Sequence, residues 1–333
     1  MSCSQKKYTS IDVAKLAGVS QATVSRAMNH PQSVPETTRQ RILAAAQKLN
    51  YSPNAIARSL VSNKTNLIGV IVADFQNPFY SSFVYSISER FSAKGKKVLL
   101  FSGSENNIDA ALTEALCFQV DGLLIASSSL SQQLEEKDIP TKIPVVVINR
   151  QGTSSNYCSI ASDDIESGRM IADYFHKKGF TSFAYISGPN ETPSTHQRRK
   201  GYLGRLQERG ISDCIVESGN YTYQSGFHAM QRIIPQHKGV PLAVFCGNDM
   251  MALGAIDAVR DHPTLWIPQD IAIIGFDDIE ESAWEAYQLT TMQMPIEEMI
   301  DTAFEYLNSY PSTDRKLAGL HLFPCRLIER QTT

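Results

Sequence analysis

Seven short, continuous apolar runs constrain this chain most: LIGVIVA, KVLLF, DGLLIA, PVVVI, SFAYIS, AVFCG and IAIIGFD, all between residues 67 and 277. A strand with one wet face alternates apolar and polar residues, whereas a strand covered on both faces does not. Runs of this length separated by helix-length amphipathic stretches therefore predict parallel sheets with helices on both sides. The 333 residues exceed what one ordinary core organises, and two such α/β units of about 110 to 130 residues fit the length after residue 66.

Ligands of open parallel sheets bind beyond the carboxyl ends of the strands. The residues that follow the runs are polar or aromatic: Asp74 and Asn77-Pro78-Phe79-Tyr80, Asn149-Arg150, Asn248-Asp249, and Asp277-Asp278. A polar ring with aromatic faces suits a hydroxylated small molecule. For each Asp or Asn the competing role is capping the next helix, and Phe79 and Tyr80 fit a core equally well.

The first 64 residues differ in kind. They hold nine Lys and Arg against only Asp12 and Glu36, a surplus of seven; the whole chain carries −3, so the remainder carries −10. A basic head on an acidic body suits a polyphosphate partner. Thr9-Ser10-Ile11-Asp12 has the pattern of a capping box and opens an amphipathic helix with Ile11, Val13, Ala14, Leu16 and Ala17. Gly18 stops it, Val19 enters the turn, and Ser20 caps a second helix from Gln21 to Asn29 that turns Val24, Ala27 and Met28 inward. A third helix, Pro35 to Leu49, is expected to bury Ile42, Leu43, Ala46 and Leu49.

The four-residue link AGVS between two such helices is the geometry of a helix-turn-helix, which carries the start of its second helix into the major groove. Gln21 can bond adenine N6 and N7, Ala22 can meet a thymine methyl, and Arg26 can fork onto guanine O6 and N7. Thr23, Ser25 and Thr38 are placed as phosphate donors. Thr9, Ser20, Asn29 and Tyr51 complete the set assigned to DNA in the head.

The run SIDVAKLAGVSQATVSRAMN followed by LNYSPNAIARSL closely resembles the headpiece of the LacI/GalR family of bacterial transcription regulators, and the resemblance continues along essentially the whole chain. It implies a small all-α helix-turn-helix headpiece at 8–52, a hinge helix and linker at 53–66, and an α/β periplasmic-binding-protein-like body of two parallel-sheet lobes at 67–329. The amino-terminal lobe is expected at 67–161 and 291–319, the carboxy-terminal lobe at 162–290 and 320–329. The resemblance further implies that the hinge becomes helical on operator DNA, with Leu60 wedged into the minor groove. Ala55, Ile56, Ala57, Leu60 and Val61 form an apolar strip for a second subunit, and Asn54, Ala57 and Arg58 join the DNA set. Alone, ten residues make a marginal helix. Pro35 stands where the family usually has a capping serine, which shifts the start of the third helix.

Carried over position by position, the resemblance to periplasmic sugar-binding proteins makes Phe79 and Tyr80 stacking faces and Arg150, Arg198, Asn248 and Asp277 the hydrogen-bonding set. Asp163, Asp164 and Tyr221 occupy further pocket positions. Asn149 stands where many sugar binders have aspartate, and Met294 where they often have glutamine. Two retained arginines without an opposing carboxylate point to an effector with an anionic group.

The six cysteines are scattered, with no CxxC pair and no metal spacing, and are expected to be reduced packing residues. No apolar run spans a bilayer and the N-terminus lacks an apolar signal segment, so a cytoplasmic protein is expected. No phosphate loop, GxSxG elbow or nucleophile–base pair is present, which argues against an enzyme and requires no cofactor. The expected protein is a homodimeric repressor of carbohydrate-utilisation genes on a near-palindromic operator, controlled by a sugar-like effector. A solute-binding protein and a corepressor-dependent regulator are the alternatives. The chain ends without a leucine heptad, so a tetramer-forming tail is not expected.

Overall fold

The computed structural model describes residues 8–52, 64–72, 75–103, 108–127, 143–152, 157–237, 239–309 and 319–333. The chain divides into two compact units, one ending at Thr65 and the other beginning at Asn66.

In the first unit, α1 (Ser10–Ala17), α2 (Gln21–Asn29) and α3 (Glu36–Lys48) form the head. The capping box closes as expected: Thr9 donates its backbone N–H to Asp12 Oδ2 at 2.8 Å and accepts from the Asp12 N–H at 3.4 Å. Gly18 takes a left-handed φ of 65°, where a side chain is strained, and so ends α1 within one residue. Ser20 then caps α2 by accepting from the Thr23 N–H at 3.2 Å. Pro35 precedes α3 without a side-chain cap, so the helix starts at Glu36.

The small core is Val13, Ala14, Ala17, Val24, Ala27, Val34, Ile42, Ala45 and Ala46, with Met28, Leu49 and Tyr51 packed against it. Three expected core residues face solvent instead: Ile11, Leu16 and Leu43 are 47 to 49% exposed. Each adjoins a buried residue on a helix that turns about 100° per residue, and helices this short bury only one narrow stripe.

In the second unit, β1 (Leu67–Val72), β2 (Lys97–Ser102), β3 (Gly122–Ala126), β4 (Val145–Ile148), β5 (Cys158–Ser162) and β11 (Gly319–Phe323) form one all-parallel sheet, ordered β11-β5-β4-β3-β1-β2. Helices α4 (Pro78–Ala93), α5 (Ile108–Cys117) and α10 (Ile296–Ser309) accompany it. The second sheet is ordered β12-β10-β9-β8-β6-β7, from β6 (Ser182–Ser187), β7 (Cys214–Ser218), β8 (Leu242–Cys246), β9 (Ile271–Asp277), β10 (Thr290–Gln293) and β12 (Arg326–Ile328). Only β12 runs antiparallel, against β10. Its helices are α6 (Asp164–Lys177), α7 (Pro193–Glu208), α8 (Tyr223–Ile233) and α9 (Asp249–Arg260).

Strands β1 and β6 each pair with a neighbour on either side, so strand order reverses there in both lobes. The chain passes between lobes after β5, after β10 and after β11. The expected boundary near 161 falls at the end of β5, whereas those at 290 and 319 move: β10 belongs to the second lobe and β11 to the first. Neither strand carries a continuous apolar run, since β10 reads TTMQ and β11 alternates half-buried and exposed residues.

Helices α6 and α7 cross unusually closely. A Cβ on Gly168 would lie 2.6 Å from the Arg198 carbonyl oxygen, and one on Gly201 would lie 2.1 Å from that of Ile165. This approach sets up the cleft chemistry below. Among the described residues, no helix is long and apolar enough to cross a membrane.

Candidate functional site

In the head, the first turns of α2 present Gln21, Ala22, Ser25 and Arg26 as exposed residues on one face, opposite buried Val24 and Ala27. Ser10 Oγ accepts from the Gln21 amide at 3.0 Å, which ties the start of the reading face to α1. Asn29 donates to Ser25 Oγ at 3.3 Å. Arg26 makes no ion pair among the described residues. Thr9 and Ser20 hold their hydroxyls in the caps, Thr23 and Thr38 are half-buried, and Tyr51 lies against the head core. Asn54, Ala57, Arg58 and Leu60, together with Asp74 of the body, lie outside the described residues.

In the body, a cavity of about 770 Å³ opens between the lobes. Phe79, Phe83, Ser82 and Ser86 of α4 and the start of α10 wall one side, the 277–280 turn after β9 the other, and the crossing segments at Met294 and Cys325 the back. Three of the expected ligand residues line it: Phe79, Asp277 and Met294. Phe79 packs edge-on against Tyr80 at 5.2 Å between centroids and stacks on Phe83 at 5.9 Å. Tyr80 is buried and is not part of the lining.

A second cluster is built from segments far apart in sequence. Arg198, 3% exposed, donates from Nε to Asp164 Oδ1 at 3.0 Å and from Nη1 to the Gly247 carbonyl at 2.6 Å, and stacks over Phe276 at 3.5 Å. Ser162 completes Asp164 by donating to the same oxygen at 2.9 Å. Burial opposes the Arg198 charge, but Asp164, Tyr221 and Asp277 together more than offset it, and its pKa is raised. Arg198 thus has a carboxylate partner in Asp164, while Asn149 carries none.

Tyr221 stands at φ 65° with its hydroxyl 2.7 Å from Thr195 Oγ1 and 3.2 Å from Ser194 Oγ. Asn248 caps α9 through Met251 and donates to the Tyr221 carbonyl at 3.1 Å. Asp277 joins cluster and cavity. Burial pushes its carboxyl well above the usual range, Arg198 pulls it back, and Asp249 and Asp164 add to the rise.

Asp163 acts as the cap of α6, accepting from the Glu166 N–H at 3.0 Å. Asn149 takes φ 62° at the end of β4, and burial lowers the pKa of the neighbouring Arg150 guanidinium beside Tyr157.

Sequence reading missed the hydroxyls of Thr192, Ser194 and Thr195 and the Phe276 platform. The run Thr192-Pro193-Ser194-Thr195 at the start of a helix just after β6 was the available signal. The sequence placed Asp249 only in the polar ring beyond the strands or at a helix cap. That residue is fully buried and accepts from Thr291 Oγ1 at 2.6 Å, Ser282 Oγ at 2.7 Å and the Ile279 N–H at 3.0 Å. It thereby holds the turn that carries Asp277 and Asp278, whose φ angles of 121° and 59° are costly for non-glycine residues. Burial pushes its own carboxyl up to about 6, against the pull of those three donors.

Residues 10–54 match the family of bacterial regulatory proteins, lacI family, and residues 172–333 match the periplasmic binding protein-like domain. The chain is similar to catabolite control protein A of Priestia megaterium, 33% identical over 331 residues that cover 98% of this chain and 99% of the other. It is 34% identical to the HTH-type transcriptional repressor PurR of Erwinia tasmaniensis, with 96% and 95% covered, and 34% identical to the ribose operon repressor of Escherichia coli K12, with 89% and 91% covered. Among solved structures, the lac repressor dimer bound to operator and the anti-inducer ONPF has a TM-score of 0.86 at 28% identity, covering 98% of this chain and 99% of that one. The regulator CelR in complex with cellobiose has a TM-score of 0.72 at 25% identity, covering 98% and 100%. By these full-length similarities, head and body alike, the chain belongs to the lacI family of bacterial regulatory proteins.

Proposed function

We propose that the protein is a transcription repressor of carbohydrate-utilisation genes that binds a near-palindromic operator as a homodimer, and that a small hydroxylated effector in the body cleft sets its affinity for DNA. The observation that carries this reading is the exposed row Gln21, Ala22, Ser25 and Arg26 at the start of a capped second helix, on a chain similar along most of its length to the transcriptional repressor PurR and the ribose operon repressor. Gln21, Ala22 and Arg26 read base edges; Thr23, Ser25, Asn29 and Thr38 position the head on phosphates. Two heads related by a two-fold axis make the operator a near-palindrome. The hinge residues Asn54, Ala57, Arg58 and Leu60 extend the contact into the minor groove, by resemblance to the family.

In the body, Phe79, Arg198, Tyr221, Asn248 and Asp277 form the effector surface. Effector and operator affinities are coupled reciprocally through the body, whichever sign the coupling takes. Selection of bound sequences from a random DNA pool, at near-physiological salt so that phosphate attraction does not dominate, tests the proposal. Enrichment of one two-fold symmetric motif is the expected result. A corepressor-dependent regulator would enrich it only in the presence of its ligand, and the absence of any motif under every condition would reject DNA-sequence recognition.

A further inference from the structure

We propose that the effector carries a protonated amine on a hydroxylated frame, held by Asp277 with the frame against Phe79. This rests on the cleft being the effector site and adds the charge of the ligand.

Elimination among the charged groups of the cavity leads to it. Five carboxylates line the space, those of Asp277, Asp278, Glu280, Glu297 and Glu298, against the single guanidinium of Arg326. Three of the five have other roles. Asp278 accepts from Arg330 at 2.7 Å and from Gln293 at 2.7 Å. Glu297 pairs with Arg90 at 2.6 Å. Glu297 and Glu298 both sit in the first turn of α10, where acids favour the helix dipole. Arg326 donates to Gln293 Oε1 at 2.5 Å.

That leaves Asp277, half-buried in the cavity wall, with Glu280 exposed at its rim. The Asp277 side chain makes no hydrogen bond or ion pair among the described residues. The guanidinium that faces it, Arg198, already contacts Asp164 and the Gly247 carbonyl. A cavity whose free group is a half-buried carboxylate across from the wall that holds Phe79 disfavours phosphate or carboxylate ligands. It favours a cation, which the carboxylate can pair while the apolar face of the frame meets the Phe79 wall. Burial raises the Asp277 carboxyl above its usual range, and pairing with an ammonium favours its charged form.

The test uses the intact chain and matched probe sets on glucose, galactose and mannose frames: the neutral hexose, its 2-amino-2-deoxy form and its uronate. Isothermal calorimetry reads the affinities. The expected result is at least one amino sugar bound about ten-fold or more tighter than its neutral parent, with uronates unbound. Asp277→Asn abolishes the preference, while Asp109→Asn, remote on α5, leaves it unchanged. Should Asp277→Asn fail to fold, the ranking of amino over neutral and acidic members on each frame in the native protein still decides. Equal or tighter binding of neutral or acidic members, or no response to any amino sugar, overturns the proposal. A palindrome recovered by DNA selection in that case leaves the repressor reading standing, so the two failures are distinguishable.

Discussion

Head and body handle polar side chains in opposite ways. On α2 of the head, Ala22, Ser25 and Arg26 lie in a row on the exposed face of one helix, and only Gln21 is tied to a neighbour across the turn. In the body the comparable groups bind one another. Arg198 is taken by Asp164 and Gly247, Tyr221 by Thr195 and Ser194, and Asn248 by the Tyr221 carbonyl. A DNA-reading surface meets a hydrated, highly charged partner and presents its donors to solvent until docking. A small-ligand cleft must hold its shape when empty, and buried groups without partners would cost several kcal/mol each.

The contrast breaks most visibly at Asp164. Asp164→Ala should destabilise the body by about 3–5 kcal/mol, because it strands a buried guanidinium, and urea unfolding would measure this. Replacing both partners, Asp164→Leu with Arg198→Met, should recover most of the loss. A cost below about 1 kcal/mol for the single change would mean that Arg198 is hydrated in solution and that the cluster is not self-contained.

A pH series on Asp249 sharpens the same point. Its folded pKa lies near 6, above its ordinary value of 3.8, so the folded state binds the extra proton. Stability should therefore fall as pH rises from about 4 to 6, by up to about 3 kcal/mol, and level off above that range. Asp249→Asn should remove this slope. Trp284, next to the 280–283 turn that Asp249 holds, gives a fluorescence readout in a Trp266→Phe background. An unchanged slope in the variant would assign the titration elsewhere.

The head should respond less in stability and more in recognition. Arg26→Ala should weaken operator binding by about 1–3 kcal/mol and relax preference at one base pair per half-site, as measured by competition among single-base operator variants. Equal loss on all sequences would move Arg26 from base reading to phosphate contact. Thr9→Ala should cost the head only about 1 kcal/mol, since it removes one cap. Thermal melting followed by the helical signal of the head would check it.

How legible each region was follows from the same difference. The head is local: Thr9 to Asp12, Gly18, Ser20 and the short link AGVS lie within a dozen residues, and capping chemistry acts over three. Where local reading failed, at Ile11, Leu16 and Leu43, the core was narrower than three apolar stripes. In the body, the seven continuous runs mark six strands buried between helices and the edge strand β2, whose positions are mostly exposed or half-buried. Strands β5, β7, β10, β11 and β12 escaped because they are polar, small-residue or edge strands with exposed positions. The Arg198–Asp164 pair joins residues from two helices whose approach depends on Gly168 and Gly201, and nothing in the spacing of 34 residues reveals it. The lobe boundaries slipped for a related reason, since β11 pairs with β5, far away in sequence, and neither β10 nor β11 carries much apolar signal of its own.

Affinity for the selected operator compared with scrambled DNA of equal length, measured with the intact chain at near-physiological salt and with and without effector, tests the central claim most directly. A sequence-specific repressor should prefer its site by about a thousand-fold or more, and the preference should shift when effector is added. A ratio near one in all conditions, with binding that simply follows salt, would show a basic head attracted to phosphate and would contradict the account.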